Sequence, residues 1–168
     1  MEESEEIHAL NRIKRKIREI KDWPKTGVTF RDVCPLFEDP KAFHDAIDLL
    51  RDRYSSYQFD VVAGVEARGF VIGAALAYSL AYQLEYGSST LEVQNFCPRR
   101  GLRVVVVDDL LAKGGTLEAA CFLIESCGGT VVEASVLVEL SSLRGKEVLE
   151  VRATVIAKGI LQETASEV

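Results

Sequence analysis

Apolar residues recur at Ile7, Leu10, Ile13, Ile17 and Ile20, in steps of three or four, which predicts a helix over 5–21 with one apolar stripe. Ser4 stands where a cap belongs, Glu5 and Glu6 fall in the first turn, and Lys14, Arg15, Lys16 and Arg18 lie towards the end, as the helix dipole favours. The following stretch, DWPKTGVTFRDVCPLFEDP, is punctuated by three prolines and a glycine and reads as a structured loop. Asp39-Pro40 is a cap with proline at the first helical position, and Phe43, Ala46, Ile47, Leu50 and Tyr54 then line one face of a second helix. FDVVAGV (59–65) is of strand type. It breaks at Glu66-Ala67-Arg68-Gly69, and a buried helix is expected from Phe70 to Ala81.

Residues 82–95 alternate weakly around Gly87-Ser88-Ser89 and predict a hairpin. LRVVVVDD (102–109) is a continuous β-branched run, as in a strand buried on both faces of a parallel sheet. The loop LLAKGGT leads to a helix from Leu117 to Cys127 that Gly128-Gly129 closes. Residues 130–140 form another strand, 141–147 a turn or short helix, and 151–157 a last strand. Strands alternating with helices predict an α/β domain with a mostly parallel sheet flanked by helices.

Composition narrows the function classes. A chain of 168 residues is the size of one domain, and 48% hydrophobic with 27% charged residues excludes a disordered chain. Twenty Lys and Arg against 26 Asp and Glu leave a net charge of −6, which gives no overall attraction for nucleic acid or an anionic membrane. The basic cluster at 14–18 is therefore read as a solvated helix face. No apolar run reaches the ~20 residues of a membrane helix, and MEESEE is too acidic for a signal peptide, so a cytoplasmic location is expected. Cys34, Cys97, Cys121 and Cys127 form no CxxC pair and are read as reduced thiols; His8 and His44 are read as structural.

In an open α/β sheet, ligands bind beyond the carboxyl ends of the strands. Two such ends carry polar residues, and the stronger is VVVVDDLLAKGGT (104–116). Asp108 and Asp109 can accept hydrogen bonds from vicinal hydroxyls or hold magnesium through water. Gly114 and Gly115 let successive N–H groups converge at a helix start that favours an anion, while Thr116 adds a hydroxyl and Lys113 a charge. Carboxylates for a sugar beside an amide nest for a phosphate describe a sugar-phosphate site. The order matches neither GxxxxGK[ST] nor GxGxxG.

VVVVDDLLAKGGT resembles the phosphoribosyl-pyrophosphate (PRPP) motif of type I phosphoribosyltransferases, and within them the adenine phosphoribosyltransferase family. The likeness extends to WPKTGVTFRDVCPLFEDPKAF, similar to the base-binding loop and the helix after it. VVAGVEARGFVIGAALA resembles the pyrophosphate loop and helix, QLEYG the catalytic segment, and VVEASVLVELSSLRG the strand after the PRPP motif. The resemblance implies the type I phosphoribosyltransferase fold in a single domain, with the N-terminal helix and base-binding loop in 1–38 and the core in 39–168. It implies purine salvage: adenine and PRPP give AMP and pyrophosphate, with Mg2+ carried near Asp108 and Asp109 by PRPP, in a homodimer. By the same resemblance Asp108 and Asp109 sit by the ribose hydroxyls, and Ala112, Lys113, Gly114, Gly115 and Thr116 wrap the 5′-phosphate. Arg68, with the backbone of Glu66 and Ala67, faces the pyrophosphate. Phe30 and Leu110 stack on adenine while the backbone near Thr29 and Arg31 reads its edge, and Glu85 exchanges the proton with adenine N7 or N9.

The chain departs from the family pattern twice. Lys113 stands where the family has Thr. Between Leu80 and QLEYG the family carries a further edge strand and a mobile basic loop, about 20 residues in all, and here ALAYSLAYQLEYG runs straight through. The sheet is therefore expected to be short of one edge strand. The missing loop normally closes the site over the pyrophosphate, so the expectation is a chain that binds AMP and turns over slowly or not at all. The alternative is a non-catalytic nucleotide-binding or partner protein on the same fold.

Overall fold

Four consecutive valines place β4 (Arg103–Leu111) at the centre of the molecule, because only a strand covered on both faces can bury Val104, Val105, Val106 and Val107 completely. The computed structural model describes residues 3–23, 25–83, 101–150 and 157–163. Its main sheet has the order β3 (Val61–Gly64), β4, β5 (Thr130–Leu140) and β6 (Ala157–Glu163), all parallel. Helices α4 (Arg68–Gln83), α5 (Gly115–Ser126) and α6 (Gly145–Glu150) make the successive crossovers. A 3-10 turn at Ser141–Leu143 precedes α6. The architecture is thus α/β with a parallel sheet between helices, and β3 is an outer strand among the described residues.

Side chains alternate across β4. Val105 and Val107 pack with Leu137 against α3 (Pro40–Tyr54), α4 and the N-terminal elements, through Leu50, Tyr54, Ile72, Leu76, Ile13 and Leu36. Val104 and Val106 pack on the opposite face with Leu117, Cys121 and Ile124 of α5 and Leu149 of α6. Helix α3 begins as its sequence requires: the Asp39 carboxylate accepts from the backbone N–H groups of Lys41 and Ala42, and Pro40 fills the first turn.

The N-terminal segment differs from the expected single helix over 5–21. Helix α1 spans Glu3–Lys14, so Ser4 lies inside the first turn and does not cap it. Arg18–Lys21 then forms β1, antiparallel to β2 (Thr29–Asp32) within the stretch expected to be loop. A short helix, α2 (Cys34–Phe37), follows. Two basic residues of the predicted solvated face take part in this arrangement. Lys16 pairs with Asp39 and Arg18 with Asp32. His44 also has a partner, Asp48, at 3.1 Å. The predicted hairpin over 82–95 lies outside the described residues except for its first two positions, which belong to α4. Of the strand expected over 151–157 only Ala157 is described, and there it opens β6.

Candidate active site

The site is built where β4 ends. The strand runs to Leu111, so Asp108 and Asp109 lie within it rather than beyond it, with Leu110 and Leu111 still paired to β5. Alternation puts Asp109 on the α4 face, and there the Arg68 guanidinium Nε donates to its Oδ2. The close approach that allows this comes from glycine. A Cβ on Gly69 would stand 2.6 Å from the Val107 carbonyl oxygen, so any larger residue would push the start of α4 off β4. Val65 N–H donates to that same carbonyl at 2.9 Å. The Glu66–Ala67 peptide between them is cis, and both residues are exposed. Arg68 is the first residue of α4, not a loop residue.

Both carboxylates are buried, at 8% and 4% exposure. Asp109 has its cation, and the pairing raises the Arg68 pKa further. Asp108 does not. Burial, with the neighbouring Asp109 carboxylate adding to it, pushes Asp108 up to about 7, against the opposing pull of the Asp109 N–H (2.8 Å) and of Arg68. Asp108 is thus a carboxyl that titrates near neutrality in want of a donor, as vicinal hydroxyls would be.

Beyond Leu111 the chain turns through Ala112, Lys113 and Gly114. Gly114 has φ +84° and caps α5, and a Cβ there would sit 2.5 Å from the Gly145 carbonyl oxygen. Gly145 in turn packs on Ala112 so closely that it too must lack a side chain. The turn is fixed from behind by the start of α6 while Lys113, Gly115 and Thr116 face outward, exposed. The N–H groups at the start of this 12-residue helix point the way an anion needs.

The β1–β2 ribbon carries the residues expected to hold the base, and the chain that leaves it reaches the site at Cys34. The Arg31 side chain is buried and paired with Glu19, so its guanidinium is engaged within the ribbon. Phe30 is half-buried against Trp23, and Thr29 is half-buried beside it. Leu110 packs against the core cluster that includes Val33 and Leu36, just after the ribbon. Asp32 links ribbon and site. Burial pushes its pKa up, but the Cys34 N–H and Arg18 overcome that and hold it below the ordinary range. The Cys34 thiol is pushed up, first by its hydrogen bond to Asp32, while Arg68 pulls it down and Asp109 pushes it up. Cys34 therefore lies within electrostatic reach of the Arg68–Asp109 pair. Neither Cys34 nor Gly145 was marked by the sequence as a site residue, because each reaches the site only through a fold-level contact. Glu85 lies outside the described residues. A separate groove of about 480 Å3 between α1 and α3 is lined by residues that neutralise one another, such as Arg12 with Asp45 and Arg51 with Asp48.

A parallel sheet whose central strand ends in paired carboxylates, an arginine and a glycine turn opening a helix defines a sugar-phosphate-handling α/β protein. Residues 35–160 match the family model described as "Phosphoribosyl transferase domain". The chain is 43% identical to the adenine phosphoribosyltransferase of Syntrophotalea carbinolica over 155 aligned positions, covering 80% of this chain and 91% of that one. It is 41% identical to that of Bordetella avium, covering 80% and 85%. Among solved structures, adenine phosphoribosyltransferase from Thermoanaerobacter pseudethanolicus superposes with a TM-score of 0.79 at 38% identity, covering 92% of this chain and 99% of that chain. That from Rhodothermus marinus gives 0.78 at 30%, covering 94% and 99%. The chain belongs to the phosphoribosyltransferase family, in its adenine phosphoribosyltransferase branch. The 155 positions aligned with the Syntrophotalea protein take up only 80% of 168 residues, so about twenty of them have no counterpart here. That is the size of the expected missing strand and loop.

Proposed function

We propose that the protein transfers the 5-phosphoribosyl group of PRPP to adenine, forming AMP and pyrophosphate in purine salvage. The carrying observation is the juxtaposition of the Arg68–Asp109 pair with Asp108 and the glycine turn at the carboxyl end of β4. In this reading the α5 N-terminus and the turn 112–116 hold the 5′-phosphate, and Asp108 and Asp109 accept from the ribose hydroxyls. Arg68, at the first position of α4, shares itself between Asp109 and the departing pyrophosphate, with the backbone of Glu66 and Ala67 beside it. The C1–O bond to pyrophosphate breaks as the C1–N9 bond to adenine forms, with positive charge on the ribose at the transition state. Phe30 and Leu110 sandwich the base, and the backbone at Thr29 and Arg31 reads its edge. Glu85 takes up the proton that adenine gives up.

Mg2+ enters with PRPP. Among the described residues no three His, Cys, Asp or Glu side chains gather into a metal cage. Asp109 is occupied by Arg68 and Asp108 favours a proton near neutrality, so the donors present suit a metal that arrives on the substrate's phosphates rather than a resident ion. The working form in this reading is a cytoplasmic homodimer. An uncharged face of α4, with Phe70, Val71 and Tyr78 exposed just after Arg68, offers a surface for a second copy beside the site.

The test is AMP formation from adenine, PRPP and Mg2+ by the purified chain. AMP is expected, at a rate below that of a relative carrying the extra twenty positions. AMP binding without turnover would instead support a non-catalytic nucleotide-binding protein on this fold.

A further inference from the structure

We infer that Trp23 is a positioning residue for the base: its indole braces Phe30 in the orientation that stacks on adenine. This rests on the reading of Phe30 as the stacking residue. Trp23 is the single tryptophan of the chain, and it stands 51% exposed on a surface turn. An indole left so far in water is not there to fill the core. Its ring meets Phe30 edge-on, with centroids 4.5 Å apart and planes at 63°.

The turn that carries it is tied at both ends. Asp22 takes a positive φ of 57°, and its carboxylate accepts from Gly27 N–H at 2.8 Å. Trp23 N–H donates to the Val28 carbonyl at 3.1 Å, and Val28 N–H to that of Lys25 at 3.2 Å. The backbone that carries the indole is thus tied to the chain two residues before Phe30. Phe30 is only half-buried, and a phenyl ring in that position would otherwise turn freely about its side-chain bonds. With one side held by the indole, it meets the incoming base already oriented, and less rotational freedom is lost on binding.

The experiment compares AMP with ribose 5-phosphate, which has the same sugar phosphate and no base, by calorimetric titration. For Trp23→Ala, AMP affinity is expected to fall about three- to tenfold, the range of one aromatic pair, with ribose 5-phosphate unchanged. Trp23→Phe is expected to restore AMP binding to within about twofold of the parent. Phe30→Ala serves as the control for the reading beneath the inference, and should weaken AMP at least as much. In the parent protein tryptophan emission should change with AMP and not with ribose 5-phosphate. If Trp23→Ala binds AMP like the parent while Phe30→Ala does not, the bracing role is wrong and base stacking stands. If neither variant weakens AMP, the stacking reading fails and the inference with it. Equal losses for both ligands in Trp23→Ala would mean general damage to the turn and would also overturn it.

Discussion

Two clusters of buried charge lie at opposite ends of the sheet, and they are built differently. Towards the amino end, Glu133 on β5 is fully buried, accepting from Arg53 Nε at 2.5 Å, Tyr54 Oη at 3.3 Å and Ser135 Oγ at 3.1 Å, while Tyr54 and Ser135 share a further bond of 2.6 Å. Every one of those partners is protein, and together they fasten α3 to the sheet. At the carboxyl end Asp109 has one partner, Arg68, and Asp108 has a backbone N–H and a raised pKa. Burial of a carboxylate therefore does not mark function by itself. What separates the two is the company: at one end side chains of α3 and β5 converge on one oxygen of Glu133, while its other oxygen is buried without a hydrogen-bond partner, and at the other end the carboxylates stand beside a glycine turn with outward N–H groups.

The sharpest way to break that contrast is Gly114→Ala. The new Cβ would meet the Gly145 carbonyl at 2.5 Å in a left-handed backbone position. The turn must shift, and misplacement on the order of 1 Å at a phosphate cradle costs roughly a hundredfold in binding or turnover. A stability loss of about 2 kcal/mol should accompany it. AMP titration and urea unfolding measure the two effects. AMP affinity within a few fold of the parent would remove the turn from the site.

Next in size is Glu133→Ala, which should cost about 2 kcal/mol because Arg53 loses its acceptor while Tyr54 keeps Ser135. Tm would fall by roughly 4–8 °C, with AMP affinity of the folded protein unchanged. A parallel loss of affinity would show the two ends to be coupled and erase the distinction.

The same contrast explains what could be read from the sequence. Asp39-Pro40 and the four valines act locally, through a cap and through double-faced burial, and their elements fell where the pattern put them. The glycine turn after Leu111 was equally legible, since Gly114 and the start of α5 are contiguous. The ribbon was not. Ile17 and Ile20 continue the spacing of α1, but the chain leaves the helix at Lys14 because Arg18 and Glu19 find Asp32 and Arg31 across the β1–β2 pair. Those partners stand 12 to 14 residues away, beyond what periodicity can register. The role of Glu133 was out of reach for the same reason: its partner Arg53 is 80 positions distant. Gly145, which shapes the phosphate turn from behind, carries no local mark at all.

A smaller effect tests the carboxylates of the site end. Asp108 titrates at about 7 in the folded protein against 3.8 for the ordinary carboxyl. The folded state therefore binds more protons than the unfolded state between about pH 4 and pH 7, and stability declines as pH rises through that window. Asp108→Asn cannot ionise, so its Tm should gain on the parent from pH 4 to 7 and keep a constant difference above it. Ribose 5-phosphate binding should show the converse. In the parent it strengthens as Asp108 ionises and becomes a better acceptor, and the Asn variant loses that pH dependence. Parallel Tm curves for the two proteins would show that Asp108 is ionised throughout and already partnered.

The smallest change expected is at Lys113, the one cation of the phosphate turn. The side chain is exposed, and an exposed charge near a dianion is screened over about 8 Å at physiological salt. If backbone N–H groups of the turn and the α5 start carry the phosphate, Lys113→Thr shifts AMP affinity by less than about threefold, a surface-charge effect of under 1 kcal/mol. Its signature would be ionic rather than geometric. The difference between the parent and Lys113→Thr should shrink as salt is raised, while the loss in Gly114→Ala should not. A salt-independent loss of tenfold or more in Lys113→Thr would mean that the ammonium is seated on the phosphate, and that the site end is completed by a side chain after all.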